Sequence, residues 1–413
     1  MRTFIGTYDI ADPAPTLWGA EGYGRLLVLV KDHGWPLGVL RLRHDPARTT
    51  VEGADLQLAL MNQLGLGSGT AAPPPPTGGS EPTVPLPISV VVCTRDRPRS
   101  LRGCLASLRQ LDYPAHEVVV VDNASRTAET ADVVAETRFR YVREDRPGLD
   151  WARNCGLRAA RHDIIAYIDD DARADPLWLQ GLARGFAAEH VMGVTGLILP
   201  AELETDAQHQ FEIYGNDGMS KGFRARRWIP GQLPPLSLIQ VHKVGVGANM
   251  AFRRKILEQI GGFDTALDVG TPSCGAGDLD ILHRVLLAGG EIRYEPHALV
   301  WHRHRRDQAG LERQLYSNGR AYGVFLLKRW HEHRISRRQI AGFVTRIWIP
   351  WLLGRLALSV MGRHRLPPRL IWAELWGATH APWAYFATYR HDRRLRRRFG
   401  VPNADETAAS GPN

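Results

Sequence analysis

The chain has only 4 cysteines in 413 residues, Cys93, Cys104, Cys155 and Cys274, and none forms a C-x-x-C pair. That excludes a disulfide scaffold and a cysteine-built zinc cluster, so the thiols are expected to be reduced in a cytosolic protein. No G-x-G-x-x-G or G-x-x-x-x-G-K-[ST] follows any strand-like run, which sets aside dinucleotide oxidoreductases and P-loop nucleotidases. The opening residues MRTFIGTYDIADPAP carry acids and prolines where a signal peptide needs an unbroken apolar core, so export is not expected.

Hydrophobic residues make up 44% and charged residues 23%, as in an ordinary globular protein, and the length leaves room for two or three domains at about 150 residues each. The net charge of +9 is unevenly spread. Residues 301–400 hold 21 Lys and Arg against 5 Asp and Glu, and the remainder of the chain is net negative. Such a basic quarter faces either nucleic acid or an anionic membrane surface. No nucleic-acid-binding module is found in it, so no nucleic-acid partner is expected.

Composition divides the chain. Residues 71–87, AAPPPPTGGSEPTVPLP, read as a semi-extended linker. Before it, residues 1–70 contain GRLLVLV and GVLRLRH around KDHGWPL, a strand, turn and strand, then a short helix near 54–64: a small β-rich module. After it come an α/β domain over 88–306, a helical basic region over 307–400 and a disordered tail over 401–413.

Within 88–306, ISVVVCT, EVVVV and IIAYI are short, β-branched and apolar on both faces, the pattern of central parallel strands. Helical runs alternate with them: RPRSLRGCLASLRQL with Pro98 in its first turn, and DWARNCGLRAAR with Asp150 as a candidate N-cap. Ligands of such sheets bind beyond the carboxyl ends of the strands. There the chain places Thr94-Arg95-Asp96-Arg97, Asp122-Asn123-Ala124-Ser125 and Asp169-Asp170-Asp171. Three adjacent carboxylates repel one another unless solvent or a cation relieves them. A solvated acidic loop is the plain reading; a divalent cation held by hard oxygen ligands is the functional one, favoured by the position after an apolar strand.

In order, VVVCTRDRP, EVVVVDNAS, RPGLDWARNCGL, YIDDDA, GVGANMAFRR, GGFD, GDLDILHRVLLAGG and EPHALVWH resemble the inverting family 2 glycosyltransferases with the GT-A fold. The resemblance implies a mostly parallel central sheet flanked by helices, a nucleotide-diphosphate sugar donor, and Mg²⁺ or Mn²⁺. It implies that Thr94 and Arg95 lie beside the nucleotide, Asp122 at its base, and Arg153 and Asn154 around the donor pocket. Asp169 would lie near the ribose, Asp170 at the donor, and Asp171 on the metal that bridges the diphosphate. His302 matches a histidine that approaches the diphosphate or metal; a polar surface group is the other reading.

Transfer to a hydroxyl requires a base. Asp278 is the candidate, since it opens an apolar helix after the small-residue stretch TPSCGAG, and Asp280 is the fallback. Family members commonly have Glu before this Asp, and here Gly277 stands in its place. Residues 245–253, GVGANMAFR, are expected to floor the acceptor side through Gly247 and Asn249, and 200–240 to form a flap over it. Arg226-Arg227-Trp228 and Lys328-Arg329-Trp330 lack the Gln of the Q-x-x-R-W signature of processive synthases, so single-sugar transfer to a glycan or lipid-linked glycan is expected. The competing functions are a nucleotidyltransferase and a non-catalytic carbohydrate- or nucleotide-binding scaffold.

Residues 341–361, AGFVTRIWIPWLLGRLALSVM, are long enough to span a bilayer but contain Arg346, Pro350 and Arg355. With Trp348, Trp351, Trp372, Trp376 and Trp383 beside many arginines, an interfacial helix on an anionic membrane is expected, at the cytosolic face. A helical subdomain with a solvated basic face is the alternative.

Overall fold

The computed structural model describes residues 2–12, 16–65, 85–215, 218–234 and 236–402. Most of the Pro-rich segment and nearly all of the expected tail lie outside the described residues.

Strand Ile88–Thr94 is the centre of the larger sheet because its residues are apolar on both faces. Val90 and Val92 pack with Leu101, Leu105 and Trp178 on one side, and Val91 packs with Ile165, Phe252 and Ile281 on the other. Parallel pairing joins it to His116–Asn123 and to Ile164–Asp169, and His116–Asn123 to Arg140–Glu144. Asn249–Arg253 runs antiparallel between Ile164–Asp169 and Val191–Pro200, and Glu291–His302 lies parallel to Val191–Pro200. The short strands Ala172–Ala174 and Arg226–Trp228 complete a nine-stranded sheet on the last of these. Helices cover both faces, giving the expected mixed α/β architecture. Pro98 stands in the first turn of helix Pro98–Leu108, as its missing N–H allows. Helix Leu149–Ala159 begins from Gly148, so Asp150 lies inside its first turn and is not the N-cap.

The first residues form a separate three-stranded sheet. Arg25–Asp32 and Trp35–Arg43 make a hairpin whose turn, His33-Gly34, has positive φ at both positions, the geometry that matches strand twist. Thr3–Asp9 adds in parallel, and helix Gly53–Leu64 packs beneath. Leu29 of this sheet meets Leu197, Leu199 and Tyr294 of the larger one, and Lys31 pairs with buried Asp175 at 2.6 Å.

Helix Gln308–Glu332 leads into the basic region. Arg337–Phe343 continues through a widened turn, Val344–Trp348, into Ile349–Val360, and the wider turn accommodates the N–H that Pro350 lacks. Helices Pro368–Thr379 and Ala381–Arg398 follow.

Candidate functional site

The chain crosses from Ile88–Thr94 to His116–Asn123 on one side and Ile164–Asp169 lies on the other, so strand order reverses at the central strand. Strand ends diverge at such a point and leave a crevice. Thr94, Asp122 and Asp169 all end there.

Asp169 closes its strand, and after Asp170 and Asp171 the chain enters Ala172–Ala174, which pairs antiparallel with the end of the last strand so that Ala172 faces His302. The Arg303 N–H donates to the Asp171 carbonyl at 3.0 Å and fixes that register. Potential ligand atoms of Asp169, Asp171 and His302 consequently lie within 4.8 Å of one another, with His302 Nε2 3.2 Å from Asp171 Oδ1. Burial and then the neighbouring Asp171 push the Asp169 carboxyl up. Burial also acts against the Asp171 charge, but His302 and Arg97 outweigh it and hold this carboxyl well below its usual range. Two crowded carboxylates, one firmly ionised, beside an imidazole form a donor set that fits a divalent cation such as Mn²⁺ or Mg²⁺.

Arg97 grips this loop, donating from Nη1 to Asp170 Oδ1 and from Nη2 to Asp171 Oδ2, each at 2.6 Å. It was not among the expected site residues; its signal was a second arginine two residues after Arg95, close to the end of a strand that neighbours the acidic one. Thr94 Oγ1 donates to Asp170 Oδ2 at 2.7 Å, so these two side chains brace the acidic turn from inside. Burial pushes the Asp170 carboxyl up to about 7, against Arg97. Arg95 is exposed. Asp122 is buried, with Oδ1 accepting from Ser125 N–H and Oδ2 from Tyr141 and Arg143.

The second half of the site centres on Arg153. Its Nη1 donates to Asp150 Oδ1 at 2.8 Å and to Asp268 Oδ2 at 2.5 Å, and the charges of Asp169 and Asp278 act on it as well. Asp268 was also missed, because it comes from a loop at positive φ with no pattern to flag it. Asp278 lies in the first turn of Gly277–Leu287; Oδ2 accepts from Gly247 N–H at 3.0 Å and Oδ1 from Leu279 N–H at 2.8 Å. Ala276 is the N-cap, so Asp278 does not hold that position. Burial and then Asp268 push the Asp278 carboxyl up, opposed by Arg153 and the two N–H groups. Gly247 is needed for this approach: a Cβ there would stand 2.9 Å from Arg153 Nη2 and 3.2 Å from Asp278 Cβ.

Three expected residues do other work. Asn249 is fully buried; Oδ1 accepts from Trp178 Nε1 at 2.9 Å and Nδ2 donates to the Leu197 and Ala298 carbonyls, so its amide pins three strands and offers nothing to an acceptor. Asn154 exchanges two 2.8 Å hydrogen bonds with the Phe263 backbone and holds the Gly262-Phe263 turn. Asp280 is fully buried among Lys328, Arg329 and Arg284, a structural ion cluster with no free oxygen for a substrate proton, which removes the fallback base.

The family model for glycosyl transferase family 2 matches residues 89–261. The chain carries a family 2 glycosyltransferase domain. Among curated proteins, it is 28% identical over 299 residues to the pre-mycofactocin glycosyltransferase of Mycobacterium tuberculosis, covering 70% of this chain and 58% of that protein. It is 25% identical over 268 residues to the succinoglycan biosynthesis protein ExoM of Rhizobium meliloti, covering 60% of this chain and 78% of that one. A mannosyltransferase of Pyrobaculum calidifontis, solved with GDP-Man and Mn²⁺, aligns with a TM-score of 0.44 and 20% identity over 81% of this chain and 78% of that one. One of these curated relatives is thus a polysaccharide-biosynthesis protein, and the chain spans little more than half the length of the first, the pre-mycofactocin glycosyltransferase.

Proposed function

We propose that this chain transfers one sugar from a nucleotide-diphosphate sugar to a hydroxyl of a glycan or lipid-linked glycan, inverting the anomeric centre. The observation that carries the reading is the gathering of Asp169, Asp171 and His302 within 4.8 Å of one another at the strand ends, with Asp278 held by the Gly247 N–H beside Arg153. The crevice therefore has a cation-ligating end and a carboxylate end.

Asp169, Asp171 and His302 would hold Mg²⁺ or Mn²⁺. When bound, the cation supplies Lewis-acid stabilisation of charge on the departing diphosphate. Thr94, Arg97 and Asp170 keep the acidic turn in place, and Asp122 holds the strand end expected to meet the base. Asp278 accepts the acceptor hydroxyl proton as that oxygen bonds to the anomeric carbon and the bond to the phosphate oxygen breaks. Burial raises its proton affinity, which strengthens it as a base, and the Gly247 and Leu279 N–H groups keep its oxygens oriented.

An α-linked donor should give a β-linked product, which proton NMR of the new anomeric signal reads directly. An α-linked product would contradict a single displacement.

The chain works at a membrane surface on the cytosolic side in this reading. Ile347, Ile349, Trp351, Leu358, Val360 and Met361 are exposed on one helical stretch, and Trp372, Trp376, Trp383 and Phe386 on the next two. Arg337–Val360 has the length and mean hydropathy of a membrane span, at 1.3. Arg355, which seemed to interrupt it, is turned inward and paired with Glu374 at 3.1 Å. Apolar side chains bordered by arginines suit the interface of an anionic bilayer.

A further inference from the structure

A cavity of about 620 Å³, lined by none of the donor-cluster residues, lies between the N-terminal sheet, helix Asp206–Gly215 and the turn that follows the exposed apolar helix. This volume is within the range of small-molecule sites. Arg25 and Arg41 reach it from two neighbouring strands of the sheet, and Arg363 and Arg365 from the turn. His209 and Glu212 line the helix side, with Leu203 and Ile213 as apolar wall.

The charge of this cavity is unbalanced. Arg25, Arg363 and Arg365 make no side-chain hydrogen bond or ion pair among the described residues, whereas nearby Arg2 and Arg306 are paired with Glu204 and Glu202. Glu212 is itself engaged by His304 Nε2 at 2.8 Å. These unpaired arginines converge from two chain segments into a concavity and create a field for an anion, and their planar forks match phosphate oxygens in pairs. One phosphate would leave much of the volume empty, so the fitting ligand is a diphosphate ester whose organic part lies against the apolar wall.

We infer that this cavity is a second phosphate seat, distinct from the donor cluster, that takes the diphosphate group of an ester. Its position limits the sources to two. Val360 and Met361 are exposed immediately before Arg363, so a diphosphate headgroup whose tail lies on the apolar helix would reach it. A soluble diphosphate ester has the same polar chemistry. The seat adjoins the donor cluster through Glu212, His304 and His302, the two imidazoles being 3.2 Å apart.

The test is equilibrium binding of inorganic pyrophosphate to the full chain in a metal chelator, with three variants. Asp171→Asn removes a cation ligand of the donor cluster and, with metal chelated, should not weaken binding. Arg25→Glu with Arg365→Glu should weaken binding by at least about ten-fold, since both charge-assisted contacts are lost and two repelling carboxylates take their place. Arg25→Gln with Arg365→Gln, at the same exposed positions, should fall between. Pyrophosphate binding lost in Asp171→Asn, or unchanged in Arg25→Glu with Arg365→Glu, overturns the inference. Co-sedimentation with phosphatidylcholine vesicles containing or lacking a polyprenyl diphosphate then separates the sources: recruitment that needs both the diphosphate and the arginines assigns the lipid headgroup, and arginine-dependent binding of soluble pyrophosphate alone assigns the soluble ester. Failure here leaves the donor-site reading untouched, because that site is judged by Asp171.

Discussion

Gly277 lies directly against Asp150: a Cβ at position 277 would collide with Asp150 Oδ2, and with Asp268 Oδ2 beside it. Where members of the resembled family commonly place a glutamate next to the residue proposed here as the base, this chain has no side chain, and Asp150 and Asp268 from other segments occupy that space.

Gly277→Ala should therefore destabilise the fold by about 1–3 kcal/mol, the usual cost of overpacking. Urea denaturation reads this as a lower midpoint at unchanged slope. An unchanged midpoint would show that Asp150 and Asp268 yield freely.

Burial and then the neighbouring Asp268 set the pH dependence expected of Asp278 as the proposed base. Asp278 must be ionised to accept a proton, so kcat/KM should rise with pH through a pKa above the ordinary aspartate value of about 3.9 and then level. Asp268 is the leading neighbouring charge that raises it. Asp268→Asn should move this acid limb to lower pH, and a limb that stays in place would separate Asp278 from the profile.

Asp280 answers a different question. Its carboxylate partners Lys328 and Arg329 are buried, and truncating one member of such a cluster leaves charges uncompensated. Asp280→Asn should cost about 3–5 kcal/mol in thermal or chemical unfolding, with the pH profile of the surviving activity unaltered. A stable variant whose acid limb is lost would restore Asp280 as the base.

These two acids, two residues apart, show what the sequence could and could not reveal. The parallel strands were legible because ISVVVCT, EVVVV and IIAYI are apolar on both faces, and the acidic turn because it follows one of them. Register was not legible: only the pairing of Ala172 with His302 brings the histidine to the acids. Side-chain direction was not legible either, so Asn249 and Asn154, polar residues within promising motifs, were expected at ligands and instead hold backbone. Arg97 and Asp268 escaped notice for the converse reason, that their partners come from distant segments.

The exposed tryptophans give a prediction about location. Replacing Trp372, Trp376 and Trp383 together with Gln should reduce co-sedimentation with anionic vesicles by about ten-fold or more, while turnover of a soluble acceptor persists. Equal sedimentation of the variant and the wild type would place the membrane contact elsewhere or remove it.

The central claim is a cation-dependent donor site at Asp169, Asp171 and His302, and calorimetric titration of nucleotide-diphosphate sugars with and without Mn²⁺ tests it most directly. The account predicts that one nucleotide family binds the wild type in the presence of the metal, binds far more weakly without it, and loses the difference in Asp171→Ala. Binding of equal strength with and without metal, unchanged by Asp171→Ala, would contradict it.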